Sequence, residues 1–136
     1  MLTSTTQIRV RYAEVDQMGF MYYGNYATFY EVARAVMIRD AGYPYSDMEK
    51  DGVVMPVVKM SSKFLKPALY DELITVETTM KELHAHGFVT FHHKLFNEKN
   101  ELLNIGEVTL TFFDPKTQKR VQMPERLLSY LQPYFP

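Results

Sequence analysis

The chain of 136 residues contains no cysteine, which excludes disulfides, thiolate nucleophiles and Cys-ligated zinc and permits a reducing compartment. It has no excess of either charge: 15 basic residues stand against 16 acidic ones, for a net charge of −1. With the basic residues also scattered, no electrostatic footprint for DNA or RNA exists, and no nucleic-acid partner is expected. No apolar run approaches the roughly 20 residues of a membrane-spanning helix. The opening "MLTSTTQIRVRY" lacks the apolar core of a secretory leader. A cytoplasmic protein without membrane contact is therefore expected. Also missing are GxSxG, a P-loop and GxGxxG, so serine hydrolase, NTPase and dinucleotide-binding readings find no support. There is no internal repeat, low-complexity tract or linker, and the length suits a single domain over residues 1–136.

What is present is a folded composition, 46% hydrophobic and 23% charged. Residues 7–12 alternate, with Ile8, Val10 and Tyr12 on one side and Gln7, Arg9 and Arg11 on the other, which predicts a half-buried strand. Over residues 25–41, Phe29, Val32, Ala33, Val36 and Met37 recur at helical spacing. Asn25 stands at the N-cap, and Gly42 with Pro44 supplies the stop. Strands follow in "VVMPVVKMSSKF", "ELITVETTMKE", "GFVTFHHKLF" and "LLNIGEVTLTFF", separated by polar turns such as "NEKNE". After "DPKTQK", the segment "PERLLSYL" reads as a short helix opened by Pro124. Short connections favour antiparallel pairing. The expected class is α+β, one long helix against a five-stranded antiparallel sheet. Such a sheet leaves edges and apolar faces for another subunit to cover, so a homo-oligomer is expected.

The stretch "VDQMGFMYYGNYATFYEVAR" sets Asp16 in a glycine-containing loop just before the long helix. A helix N-terminus offers unpaired N–H groups and a positive dipole end, suited to an oxyanion on an attacked carbonyl. A nearby carboxylate can serve as base or nucleophile. Equally, Asp16 can simply hydrogen-bond its own turn, and Tyr22, Tyr23, Tyr26 and Tyr30 can line a pocket or fill a core. Glu31 and Arg34, three apart, are spaced to pair along the helix. His84, His86, His92 and His93 form no recognisable ligand spacing, His92 and His93 pointing to opposite faces, so no metal site is expected.

The segment "RVRYAEVDQMGFMYYGNYATFYEVAR" resembles the opening signature of hotdog-fold acyl-CoA thioesterases, specifically the 4-hydroxybenzoyl-CoA thioesterase-like group. The later "SSKFLKPALYDELITVET" resembles that family's second strand region, and the likeness spans nearly the whole chain. The resemblance implies a long helix wrapped by an antiparallel sheet, assembled as a homodimer or homotetramer. It implies a hydrolase that converts an acyl-CoA to free acid and CoA without metal or organic cofactor. Asp16 matches the catalytic carboxylate, and the oxyanion contact falls on the backbone N–H of Tyr23 or Gly24. A short-chain branch of the family has histidine where this chain has Tyr23, so a histidine-assisted mechanism is not implied. Lys59, Lys63 and Lys66, with Ser61 or Ser62, are candidates for holding the CoA phosphates, although lysines also protect a bare strand edge. Tyr22, Asn25, Tyr26, Phe29, Met55 and Met60 are candidates around the acyl group, whose apolar or aromatic character the Met and Tyr content suggests. The alternatives are action on acyl carrier protein and a hotdog module that binds acyl-CoA without turnover.

Overall fold

The computed structural model describes residues 1–84 and 87–136. Among these, six strands, all paired antiparallel, form one sheet: β1 (Leu2–Arg9), β2 (Val57–Phe64), β3 (Leu73–Met80), β4 (Phe88–Phe96), β5 (Leu102–Asp114) and β6 (Lys119–Val121). Their order is β1-β3-β4-β5-β2, with β6 paired to the far end of β5. The long helix α1 (Tyr26–Asp40) lies against one face of the sheet, and α2 (Tyr45–Lys50) and α3 (Glu125–Leu131) are short. This is the two-layer α+β arrangement that the pattern of elements predicts, with β6 and α2 added.

The first strand begins earlier than the alternation suggests. The β-branched run Thr3, Thr5 and Thr6 pairs with β3 from its first residue, Leu2 opposite Met80. The chain then leaves the sheet, because the Glu14 carboxylate accepts the Arg11 N–H at 2.7 Å and folds Tyr12–Glu14 into a 3-10 turn. Tyr12 is consequently 79% exposed instead of facing the core with Ile8 and Val10. The buried stripe of α1 is Tyr26, Phe29, Tyr30, Ala33, Arg34, Met37 and Ile38. Val32 and Val36 sit on its flank, one helical step round from that face. Phe29, a candidate beside the acyl group, is in fact a core residue at 1% exposure. Gly42, at φ 109°, turns the chain out of α1, and Pro44 then opens α2.

The inner face of the sheet keeps the period of two: Ile74, Val76, Thr78 and Met80 on β3 and Val89, Phe91, His93 and Leu95 on β4 are all buried. At its centre lies a polar seat. The Tyr30 hydroxyl donates to Asn104 Oδ1 and shares a 2.7 Å hydrogen bond with Ser62 Oγ, while Asn104 Nδ2 donates to Ser62 Oγ at 3.0 Å. A phenol has one proton, so Ser62 is left to donate to Tyr30. The Tyr30 ring fits because Gly106 has no side chain: a Cβ there would fall 2.1 Å from Tyr30 Cζ. His93 stacks on the same ring, centroids 4.8 Å apart, and its Nδ1 meets the Thr78 hydroxyl at 2.9 Å.

Two outcomes follow from this seat. Gly106→Ala forces Tyr30 off its site and should destabilise the fold by about 1–3 kcal/mol, read from urea denaturation. Burial, with the Arg34 charge nearby, depresses His93 from its ordinary 6.5 to about 3. Between those values the unfolded chain binds a proton that the folded chain refuses, so His93 costs stability as pH falls below 6.5. From pH 7 to pH 5 the loss attributable to His93 should be about 2 kcal/mol. In His93→Gln that part of the pH dependence should vanish, and an unchanged slope in the variant would contradict the assignment.

Candidate active site

The Asp16 loop is a tight hairpin sewn to its neighbours. Val15 bridges Met21, the Asp16 N–H donates to the Phe20 carbonyl at 2.9 Å, and Gly19 makes the turn at φ 78°. Met21 N–H then donates to the Ala68 carbonyl and Tyr70 N–H to the Gly19 carbonyl, which ties the loop to the segment before β3. Asp16 Oδ1 accepts the N–H groups of Met18 at 2.8 Å and Phe20 at 3.3 Å. The two readings of Asp16 thus coexist. One carboxylate oxygen orders the turn, and the other takes no hydrogen bond among the described residues. Asp16 remains exposed.

The long helix is entered through a 3-10 turn, Tyr23–Asn25. Tyr22 N–H is used by the Glu14 carbonyl, and Asn25 N–H by the Tyr22 carbonyl. Among the described residues nothing accepts the N–H groups of Tyr23 and Gly24, the first-turn donors that a helix cannot satisfy internally. Asn25 sits at the N-cap position without making the expected cap bond. Its side chain instead donates to the Glu14 carbonyl at 2.9 Å, fixing the helix start to the 3-10 turn before the Asp16 loop.

Asp16, Tyr22, Tyr23, Tyr26 and Lys66 meet around one cleft of about 330 Å³, whose walls also include Phe20, Met21, Phe64, Leu65 and Pro67. Tyr22 and Tyr23 stand outward with ring centroids 4.6 Å apart, whereas Tyr26 is 3% exposed and packs edge-on against Phe64. Burial raises the Tyr26 phenol above its ordinary value, partly offset by the Ala68 N–H that it accepts at 3.2 Å. It is therefore a neutral wall residue at physiological pH. Lys66 pairs with Glu101 and holds that carboxyl below its usual range.

Other candidates lie elsewhere. Ser62 faces inward to Tyr30 and Asn104, so its hydroxyl is already engaged within the seat. Alternation then puts Lys59, Ser61 and Lys63 on the opposite, outer face of β2 and Met60 on the helix side. Met55 lines a second cleft beside α1. Glu31 and Arg34 form no ion pair: Glu31 is exposed, whereas Arg34 turns inward beside Tyr45 and His93. His84 lies near Glu82, His92 outward near Glu107, and His86 falls outside the described residues. Among the described residues no group of three or more His, Asp or Glu side chains gathers as a metal cluster. Phe20, Met21, Phe64 and Leu65 escaped sequence reasoning. Their one signal was apolar character within the two quoted motifs.

Comparison with known proteins places this geometry. The chain is 43% identical over 103 residues to the putative acyl-CoA thioesterase YneP of Bacillus subtilis, covering 75% of this chain and 73% of that one. It is 29% identical over 91 residues to the 4-hydroxybenzoyl-CoA thioesterase of a Pseudomonas species, covering 65% of this chain and 64% of that one. The solved structure of a DHNA-CoA thioesterase from Staphylococcus aureus superposes with a TM-score of 0.86 at 37% identity, over 100% of this chain and 85% of the other. The arrangement of helix and sheet is thus the hotdog fold. The model of the thioesterase-like superfamily matches residues 10–131 and so takes in the Asp16 loop, the helix start and the end of β2 that walls the cleft: the chain belongs to that superfamily.

Proposed function

We propose that the chain hydrolyses an acyl-CoA thioester to the free acid and CoA, with Asp16 as the reacting carboxylate. The observation that carries this reading is that one cleft is lined both by a carboxylate with an uncommitted oxygen and by Tyr23 of the helix entry, where the N–H groups of Tyr23 and its neighbour Gly24 are unspent among the described residues. With the thioester carbonyl oxygen toward Tyr23 and Gly24, its developing negative charge meets those donors and the dipole of α1. Asp16 either attacks the carbonyl carbon, expelling the CoA thiolate and leaving an anhydride for water to cleave, or removes a proton from the attacking water. Neither route uses a metal or an organic cofactor. Phe20, Tyr22, Tyr26 and Phe64 offer aromatic walls to an apolar acyl group, and Lys66 stands where a CoA phosphate could exchange for Glu101. The proposed setting is the cytoplasm, and no described helix is long and apolar enough to cross a membrane.

The proposed working unit is a homo-oligomer. On the helix-facing side of β2, opposite the buried residues of β5, Val57, Met60 and Phe64 are 50%, 49% and 51% exposed, and one edge of the strand is unpaired among the described residues. An edge of this kind is a template for a second chain. Phe64 belongs both to this open face and to the Asp16 cleft, so a partner seated here would close the cleft.

Asp16→Asn should lower the rate of thiol release from acyl-CoA by at least about 100-fold. A thiol-reactive dye reports only product, because the enzyme has no cysteine. Turnover of the variant at the wild-type rate would remove Asp16 from the mechanism. Sedimentation should show a dimer or tetramer for the wild type, and Met60→Asp should shift it to smaller species. A monomeric wild type would refute the assembly without touching the assignment of Asp16.

A further inference from the structure

A second cleft, of about 480 Å³, runs beside the later turns of α1 and shares no lining residue with the Asp16 cleft. It is large enough for a small organic ligand. Val36, Met48, Val53, Met55 and Leu110 give it apolar walls. Set into those walls is Arg34, only 7% exposed, whose Nε has no hydrogen-bond partner among the described residues. Among the described residues Arg34 takes part in no ion pair.

That combination is unusual for a core residue. A guanidinium stays protonated at any physiological pH, and a buried charge without an opposite partner is costly. The other charges of the cleft do not neutralise it. Glu31, Glu49 and Arg39 are exposed, and Glu31, three residues away on the same helix, makes no ion pair with Arg34. The groups facing Arg34 from other elements, Tyr45 on α2, whose hydroxyl is within hydrogen-bonding reach of the guanidinium, and His93 on β4, are neutral at physiological pH and bring no opposite charge. The cleft therefore presents one desolvated cation at the end of an apolar trough.

We propose that this cleft binds an apolar group carrying a carboxylate, with Arg34 as its ion-pair partner. The forked donors of arginine match a carboxylate in geometry, and the apolar walls take the hydrocarbon. Such a ligand has two sources, and here the inference rests on the thioesterase reading. It is either the far end of a carboxylate-bearing acyl-CoA or the free acid that hydrolysis releases.

The test is calorimetry with phenylbutyrate and its neutral analogue phenylbutanol, on the wild type, Arg34→Met, Arg34→Lys and Val32→Trp. The wild type should bind the carboxylate about tenfold or more tightly than the alcohol, the scale of one charge-assisted hydrogen-bonded pair. Arg34→Met should erase the preference and Arg34→Lys should keep part of it. Val32→Trp, which fills the cleft from its solvent edge and leaves Arg34 in place, should weaken both ligands. Equal affinity for acid and alcohol in the wild type, or a preference that survives Arg34→Met, would overturn the proposal. Thiol release then separates the sources, using acyl-CoAs of matched length that end in methyl or carboxylate. A KM raised by Arg34→Met for the carboxylate-ended substrate alone identifies the acyl group. Loss of inhibition by free acid with both KM values unchanged identifies the product. Absence of turnover on every acyl-CoA, with the calorimetric preference intact, would sink the thioesterase reading and leave the carboxylate site standing.

Discussion

A phenol buried between a helix and a sheet must find polar partners there or cost stability. Tyr30 finds two, Ser62 on β2 and Asn104 on β5, and the missing side chain at Gly106 lets its ring approach the sheet closely enough to reach them. The contact sets α1 against two neighbouring strands at once, and one of these is the otherwise open edge strand. Because a helix is rigid over its length, the seat also determines where its first turn lies, one turn back toward Tyr26 and Tyr23. The Asp16 cleft is built around that first turn. Its far wall, Phe64, leaves β2 two residues after Ser62, so the same polar seat holds both sides of the cleft.

On the proposed reading, the chemistry of the cleft comes from groups that the backbone could not pair. The first N–H groups of the helix entry have no internal acceptors, and Tyr23, whose N–H is unspent among the described residues, lines the cleft that Asp16 shares. What keeps this space from collapsing is a set of ties made elsewhere: Asn25 to Glu14, Tyr22 to Glu14, Met21 to Ala68 and Tyr70 to Gly19. Glu14 is central among them and nearly buried, its carboxylate spent on Arg11 and its carbonyl on Tyr22 and Asn25. Asp16 itself is half structural, since one oxygen holds the turn that aims the other. The proposed division of one carboxylate between positioning and reaction fits a residue carried on a loop, where no strand or helix is available to orient the side chain.

Two buried groups next to the core are kept in opposite states by the same low polarity. His93 loses its proton because burial penalises the cation and Arg34 repels it. Arg34 cannot follow, since a guanidinium has no accessible neutral form. The burden of an internal charge therefore falls on one residue, at the wall of a cleft. The expected Glu31–Arg34 pair would have relieved it and left an ordinary helix surface.

Much of this molecule was legible in the chain. Alternation along β3 and β4 separated the residues of the two faces, because the period of two survives intact along each strand. The spacing from Asp16 to Asn25 placed a carboxylate near a helix start, and the motif carried the family. The first strand was misplaced because polar Thr and Ser residues give no apolar period, although their β-branched pairing with β3 is complete. Ser62 and Arg34 were misjudged for a different reason: periodicity along one element says nothing of what lies across the gap. Whether a serine meets solvent or a tyrosine, and whether an arginine pairs along its helix or turns inward, depends on residues tens of positions away. Local sequence thus determined the elements and their order through backbone and hydrophobic periodicity, whereas only tertiary packing decided which polar groups were left unpartnered, because a hydrogen bond is satisfied in space and not along the chain.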